Sequence, residues 1–199
     1  MKATAVNTPQ PVTLGLNGIR LEPLGMQHEH GLREAAADGE LWRLVVTSVP
    51  EPHETADYIR KALLTPDRLA FAVIDETCGR VIGSTSYHDI IPAAARLEIG
   101  YTWYAQSYWR SRANTTCKYL LLRHAFDTLG VQTVGWRTDN LNTRSQQAIE
   151  RLGAQKDGVI RGQQVRRDGS VRDTVMYSLT HAEWPQVKER LAARLGLAG

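Results

Sequence analysis

The chain is poor in cysteine: Cys78 and Cys117 are the only two among 199 residues. A disulfide framework needs more, and neither thiol has partners at metal-ligand spacing. His28, His30 and His53 are too scattered to form a metal site, so none is expected. No apolar run approaches the roughly 20 residues of a membrane span, and the opening MKATAVNTPQPVTLG lacks the continuous apolar core of a secretory signal. A reduced cytoplasmic setting without a membrane partner is therefore expected. Internal repeats and low-complexity tracts are also missing. Charge of one sign is scarce: the net charge is +3 and the pI about 9.0. That mild excess suits an anionic ligand, but it gives no concentrated basic stripe, so nucleic acid is not an expected partner.

What is present is an ordinary globular composition, 42% hydrophobic and 23% charged. This length and composition predict a single domain over residues 1–199, with polar, Pro/Gly-punctuated residues 1–18 as an N-terminal extension. Ile19–Pro23 alternates as a short strand. Met26–Asp38 and Glu51–Leu64 carry apolar residues near helical spacing, the second with Pro52 in its first turn. Between them Gly39–Pro50, with Trp42, reads as short helical or irregular chain.

Leu69–Asp75, Arg80–His88 and Arg96–Tyr104 read as a three-stranded meander. Alternation along the third strand puts Leu97, Ile99 and Tyr101 on one face and Glu98, Gly100 and Thr102 on the other. There follow a helix Thr115–Leu129 stopped by Gly130, a strand Val131–Thr138, and a helix capped by Asn142 and stopped by Gly153. Gln155–Arg166 and Arg172–Thr180 form a hairpin turned at Asp168-Gly169, and His181–Leu195 a closing amphipathic helix. This order predicts an α+β (mixed α/β) fold: a mostly antiparallel central sheet flanked by helices, with one crossover and hence one parallel strand pair. Ligands in such sheets sit at the carboxyl ends of neighbouring parallel strands.

Glu98–Gly130 is the most informative stretch, a strand that turns through a short loop straight into a helix. The loop Trp109-Arg110-Ser111-Arg112-Ala113-Asn114 sets two arginines and two small polar side chains where that helix begins. Unpaired amides and about half a positive charge gather at a helix start. With two guanidinium groups added, the place suits phosphate. The plainer alternative is a strand-loop-helix unit with solvent-exposed arginines.

Several motifs in order carry a family likeness: E-I-G-Y-x-W (Glu98–Trp103), Y-W-x-S-x-A-N-T (Tyr108–Thr115), K-Y-L-L-L-x-H-A-F (Lys118–Phe126), T-D-N-x-N-x-R-S-x-x-A-I-E-R-L-G (Thr138–Gly153) and R-D-T-V-M-Y-S (Arg172–Ser178). Together they resemble the GNAT acetyltransferase superfamily, in the branch of the ribosomal-protein N-terminal acetyltransferases. The resemblance implies the acyl-CoA N-acyltransferase fold with one splayed parallel strand pair. It also implies direct transfer of an acetyl group from acetyl-CoA, as co-substrate, to a primary amine: a protein N-terminus, a peptide, an amino acid or a small amine. A homodimer is compatible with it. The chain departs from the family's usual phosphate loop, Q/R-x-x-G-x-G/A, with Trp109 first, Arg112 at the first glycine and Asn114 at the second.

On this resemblance Arg110, Ser111, Arg112, Ala113, Asn114 and Thr115 hold the CoA pyrophosphate. Trp103, Tyr104 and Ala105 offer backbone groups to pantetheine and the thioester, and Asn142 bonds the pantetheine arm. Glu98 is the candidate base, acting through water, and Ser145 a donor or relay to the departing thiolate. The alternatives are an ion-paired strand glutamate, a serine serving helix amides, plain strand pairing, and an asparagine that is only a cap. Trp42, Tyr87 and His88 are candidates for contact with the acceptor, although core packing accounts for the two aromatics equally well. Cys117 reads as core, and Lys188–Arg194 as the solvated face of the last helix. Two rival functions stay open: a CoA-binding protein of this fold without transferase activity, which Arg112 favours, and a ribosome- or RNA-associated module.

Overall fold

The structure, a computed structural model, describes residues 8–197; the part of the expected extension in residues 1–7 lies outside them. Eight strands form one sheet: β1 (Leu14–Leu16), β2 (Ile19–Pro23), β3 (Leu69–Asp75), β4 (Arg80–Ile91), β5 (Arg96–Tyr104), β6 (Thr133–Asp139), β7 (Gln155–Val165) and β8 (Val171–Thr180). Their spatial order is β1-β2-β3-β4-β5-β6-β8-β7. Every neighbouring pair is antiparallel except β5 and β6, so the expected mixed sheet with one parallel step is present. β1 corrects the reading of residues 1–18 as an extension. It pairs with β2, and Leu14 and Leu16 pack on the core.

Helices cover both faces. α1 (Glu29–Ala37) and α2 (Thr55–Leu64) bury Leu32, Ala36, Ile59 and Ala62 with Ala70, Ala72 and Trp103 on one side. α3 (Ala113–Arg123), α4 (Thr143–Leu152) and α5 (Trp184–Leu195) bury Cys117, Leu121, Ile149, Leu152, Trp184 and Leu191 against Phe71, Leu97, Ile99 and Trp136 on the other. Cys117 is indeed core. Short 3₁₀ turns replace the first residues expected of the two early helices, at Met26–His28 and Pro52–Glu54. The helix expected over Thr115–Leu129 begins two residues earlier and ends as a π-helix over His124–Thr128.

One local irregularity decides which side chains share a face. Ser84 pairs with Trp103, while Ser86 pairs with Gly100, so Thr85 faces both Tyr101 and Thr102. This is a β-bulge, with Tyr101 in the left-handed region at φ 49°. The extra residue shifts the alternation by one. Thr102, expected beside Glu98, turns instead to α3, where its hydroxyl meets Lys118. Tyr101, expected beside Leu97 and Ile99, turns to the α1/α2 side, against His88 and Arg68.

Gly83 lets β4 lie close to the strand end beyond this bulge: a β-carbon there would stand 2.1 Å from the Trp103 carbonyl oxygen and 2.9 Å from Tyr104 Cα. Backbone cannot swing aside as a side chain can. Gly83→Ala is expected to destabilise the fold by about 1–3 kcal/mol, read as a lowered urea midpoint; an unchanged midpoint would show that the strand ends are free to part.

Candidate active site

β5 and β6 stay together for only three residues each, Arg96, Leu97 and Glu98 opposite Thr133, Val134 and Gly135. Beyond them β5 continues on β4 alone and β6 on β8 alone. The result is a wedge opening toward the carboxyl ends of both strands. Gly135 keeps its apex tight, since a β-carbon there would lie 2.6 Å from an Arg96 nitrogen and 3.0 Å from Glu98 Cγ.

At the open end, the loop after β5 carries the chain into α3. Ser111 Oγ accepts from the Ala113 amide at 3.2 Å, while the Arg112, Asn114 and Thr115 amides have no acceptor among the described residues. Arg110, Ser111, Arg112 and Thr115 line a recess of about 180 Å³. Arg194 and Leu195, from the last turn of α5, complete it. The expected phosphate residues are thus brought together, Ala113 buried and Asn114 half-buried just inside the helix. Arg194 was missed, because its run reads as a solvated face until α5 is seen to end beside the start of α3. Arg112 has φ −72° and ψ −15°, a conformation open to any residue, so the glycine of the usual loop is not required here. The left-handed residue of the loop is Arg110, at φ 60°.

The walls of the wedge are partly engaged. Ala105 donates its amide to Ile82, and the Tyr104 carbonyl accepts from Trp109 Nε1 at 3.1 Å. These two groups already serve strand pairing and the loop; Trp103 is buried on the α1/α2 side. The Arg144 guanidinium stacks 3.7 Å from the centre of the Trp109 ring, so the first turn of α4 touches the loop across the opening. Asn142 is the cap of α4, its Oδ1 accepting from the Ser145 amide at 3.0 Å. Its Nδ2 makes no protein hydrogen bond, and the Ser145 hydroxyl is likewise unused among the described residues.

On the α1/α2 side of the apex lies a network of charges. Glu98 is buried and takes Arg137 Nε at 2.8 Å and an Arg96 nitrogen at 3.6 Å. Arg137 also reaches Asp89 at 3.0 Å, and Asp89 takes His88 Nδ1 at 2.5 Å. Burial pushes the His88 imidazole below its ordinary value, against the pull of Asp89 and Glu98, so it is neutral at pH 7. Bonding to Glu98 keeps Arg137 charged. Burial of Asp89 is outweighed by His88 and Arg137, which hold its carboxyl below the usual range. His88, Asp89 and Glu98 offer ligand atoms within 4.8 Å of one another, but here the Arg137 guanidinium bridges the two acids, the role a metal would otherwise take. Gly100 makes room for the ring, because a β-carbon there would lie 2.2 Å from His88 Nε2.

His88, Asp89, Tyr101 and Arg137 line a cavity of about 350 Å³ rimmed by Thr65, Pro66 and Asp67. Of the three residues expected to meet the acceptor, His88 is there. Tyr87 is not: it is fully buried on the α3 side, its hydroxyl donating to the Leu121 carbonyl at 2.6 Å. Neighbouring strand residues face opposite ways, which sends Tyr87 into the core and His88 into the cavity. Trp42 lies elsewhere, half-buried in the chain between α1 and α2. Its carbonyl and that of Val49 accept from Arg167, at the tip of the β7–β8 hairpin, at 3.0 and 2.7 Å.

Residues 19–155 match the Acetyltransferase (GNAT) domain family. The chain belongs to the GNAT acetyltransferase family. It is 28% identical over 99 residues to the Uncharacterized N-acetyltransferase YoaA of Bacillus subtilis (strain 168), a match covering 50% of this chain and 55% of that protein. A GCN5-related N-acetyltransferase from Brucella melitensis has the same GNAT fold, with a TM-score of 0.88, 32% identity, and coverage of 97% of this chain and 89% of that one. The ribosomal-protein-S5-alanine acetyltransferase from Vibrio fischeri matches with a TM-score of 0.71 over 87% of this chain and 98% of that one. At 13% identity that likeness is one of fold alone.

One buried charge of this GNAT chain lay hidden in the sequence. Lys118 of α3 is 5% exposed and reaches no carboxylate; Nζ donates to Thr102 Oγ1 at 2.6 Å and Thr85 Oγ1 at 3.4 Å. Burial brings its pKa from 10.5 down to about 7. Between those values the unfolded chain holds one more proton than the folded one, so stability rises with pH from 7 upward, by at most about 1.4 kcal/mol per unit. Urea midpoints are expected to climb between pH 7 and pH 9, and Lys118→Met to flatten that climb; a wild-type midpoint level over this range would mean that the amine is charged in place.

Proposed function

We propose that this protein transfers an acetyl group from acetyl-CoA to a primary amine by direct attack of the amine on the thioester. The observation that carries the reading is the wedge itself, with an electropositive recess at its open end and a neutral imidazole in a cavity at its apex. The CoA pyrophosphate sits in the recess, on Arg110, Ser111, Arg112 and Arg194 and on the free amides of Asn114 and Thr115. Pantetheine follows the wedge toward Glu98, with Trp103 on one wall and Asn142 Nδ2 available from the other. The thioester then faces the cavity beside His88.

Transfer forms a carbon–nitrogen bond and breaks the carbon–sulfur bond; the amine loses a proton and the thiolate gains one. Glu98 is held by two guanidinium groups, and protonating it would break an ion pair. We therefore move the base from Glu98 to His88. Asp89 accepts from Nδ1, which leaves the Nε2 lone pair to take the proton, directly or through water. Glu98 then fixes Arg137, which in turn holds Asp89 against His88. Ser145 keeps its place as donor to the thiolate.

His88→Gln is expected to lower kcat by roughly 10²–10⁴-fold with unchanged affinity for acetyl-CoA. In the wild type the acid limb contributed by this group is expected below the ordinary histidine range, because burial disfavours the imidazolium. A His88→Gln enzyme at full rate, with loss confined to Glu98→Gln, would return the base to Glu98. Arg110→Glu or Arg194→Glu should weaken acetyl-CoA binding by roughly tenfold to a hundredfold, the worth of a charge-assisted hydrogen bond. Both side chains are exposed, so the melting temperature should stay put. Unchanged calorimetric affinity in both variants would remove the phosphate assignment.

A further inference from the structure

Arg68, on the turn between α2 and β3, is a half-buried cation without a counter-charge. Its Nε donates to Ser86 Oγ at 3.1 Å. Its Nη2 is enclosed yet has no acceptor, and no carboxylate comes within ion-pair distance among the described residues. The guanidinium carbon lies 3.8 Å from the centre of the Tyr101 ring and 5.8 Å from that of Tyr58. An enclosed donor left unbonded costs about 1–3 kcal/mol, more for a charged group. A protein keeps such a group most cheaply where a ligand completes it.

The surroundings say what kind of ligand. Tyr101 lines the cavity of His88, Asp89 and Arg137, and its ring meets the His88 ring at 5.1 Å, edge to face. One aromatic ring therefore separates the charge-balanced cluster of Glu98 and Asp89 with Arg137 and Arg96 from an unpaired guanidinium. The planar fork of a single arginine matches a carboxylate. A phosphate site would gather several donors, as the recess of Arg110, Arg112 and Arg194 does. We infer that the acceptor is a small amino acid, its amine in the cavity beside His88 and its carboxylate received by Arg68. This rests on the acetyl-transfer reading above and names the substrate class for it. A carboxylate arriving at Nη1 draws the fork toward it and supplies the acceptor that Nη2 lacks.

The test compares free acids with their carboxamides, each rate normalised to the neutral amine present at the assay pH, because amidation also lowers the amine's pKa. Thiol release from acetyl-CoA is measured with the free α-amino acids, β-alanine and γ-aminobutyrate, each against its own carboxamide. Wild-type enzyme is expected to favour at least one free acid by tenfold or more in kcat/KM. Arg68→Met should bring that acid down to its carboxamide while the carboxamide rate and the acetyl-CoA KM hold, and Arg68→Lys should recover part of the preference. Equal use of acids and carboxamides, or a preference that survives in Arg68→Met with an unchanged melting temperature, overturns the assignment. An amidated Gly-Asp peptide used as well as the free acids, and lost in Arg68→Met, retains the carboxylate but moves it to a peptide side chain.

Calorimetry with CoA and N-acetylglycine, against N-acetylglycinamide, separates the two levels of the proposal. Absence of thiol release on every amine sinks the transfer reading. Selective binding of the acid by wild type alone still supports Arg68 as the carboxylate site, and equal or absent binding of both compounds overturns it.

Discussion

The whole arrangement depends on two parallel strands giving up their hydrogen bonds after three residues. β5 and β6 part at Glu98 and Gly135. Each keeps a full ladder on its other side, to β4 and to β8. The opening therefore leaves the sheet intact, yet it places two backbone edges side by side with room between them. An extended ligand that carries its own amides can take up that unfilled pairing. The geometry of the sheet therefore sets where such a ligand would lie.

The bulge at Tyr101 adds a second constraint, since it divides the chemistry between the two faces. Before it, Glu98 looks toward the cavity; after it, Thr102 looks into the α3 layer and Trp103 into the α1/α2 layer. Without the extra residue Tyr101 would point into the core, and Arg68 would keep only the more distant Tyr58 ring. A left-handed tyrosine is unfavourable in isolation. Here it holds a cation on one side and an imidazole on the other.

Periodicity and turn chemistry made most of the fold legible, because they are local. Alternation marked β3 and β5, Gly153 stopped α4 at φ 101°, and Asn142 capped it. The crossover between β5 and β6 predicted the parallel pair. What escaped depends on contacts between distant residues. Nothing in VTLGL announces that Leu14 and Leu16 will pair with β2. Arg194 belongs to the recess at the start of α3 only because α5 ends beside α3. Tyr87 and His88 were grouped as neighbours, yet adjacent residues of a strand face opposite layers. Which cation would pair with Glu98 was not legible, because Arg137 lies on another strand.

The Arg167 contact couples two segments far apart in the chain. One guanidinium from the hairpin tip pins the carbonyls of Trp42 and Val49, the chain that bridges α1 and α2. That bridge belongs to the α1/α2 layer, whereas the hairpin hangs from the far edge of the sheet. A change in the length of the hairpin would therefore move the α1–α2 bridge while leaving the parting of β5 and β6 as it stands, so the two regions can vary independently.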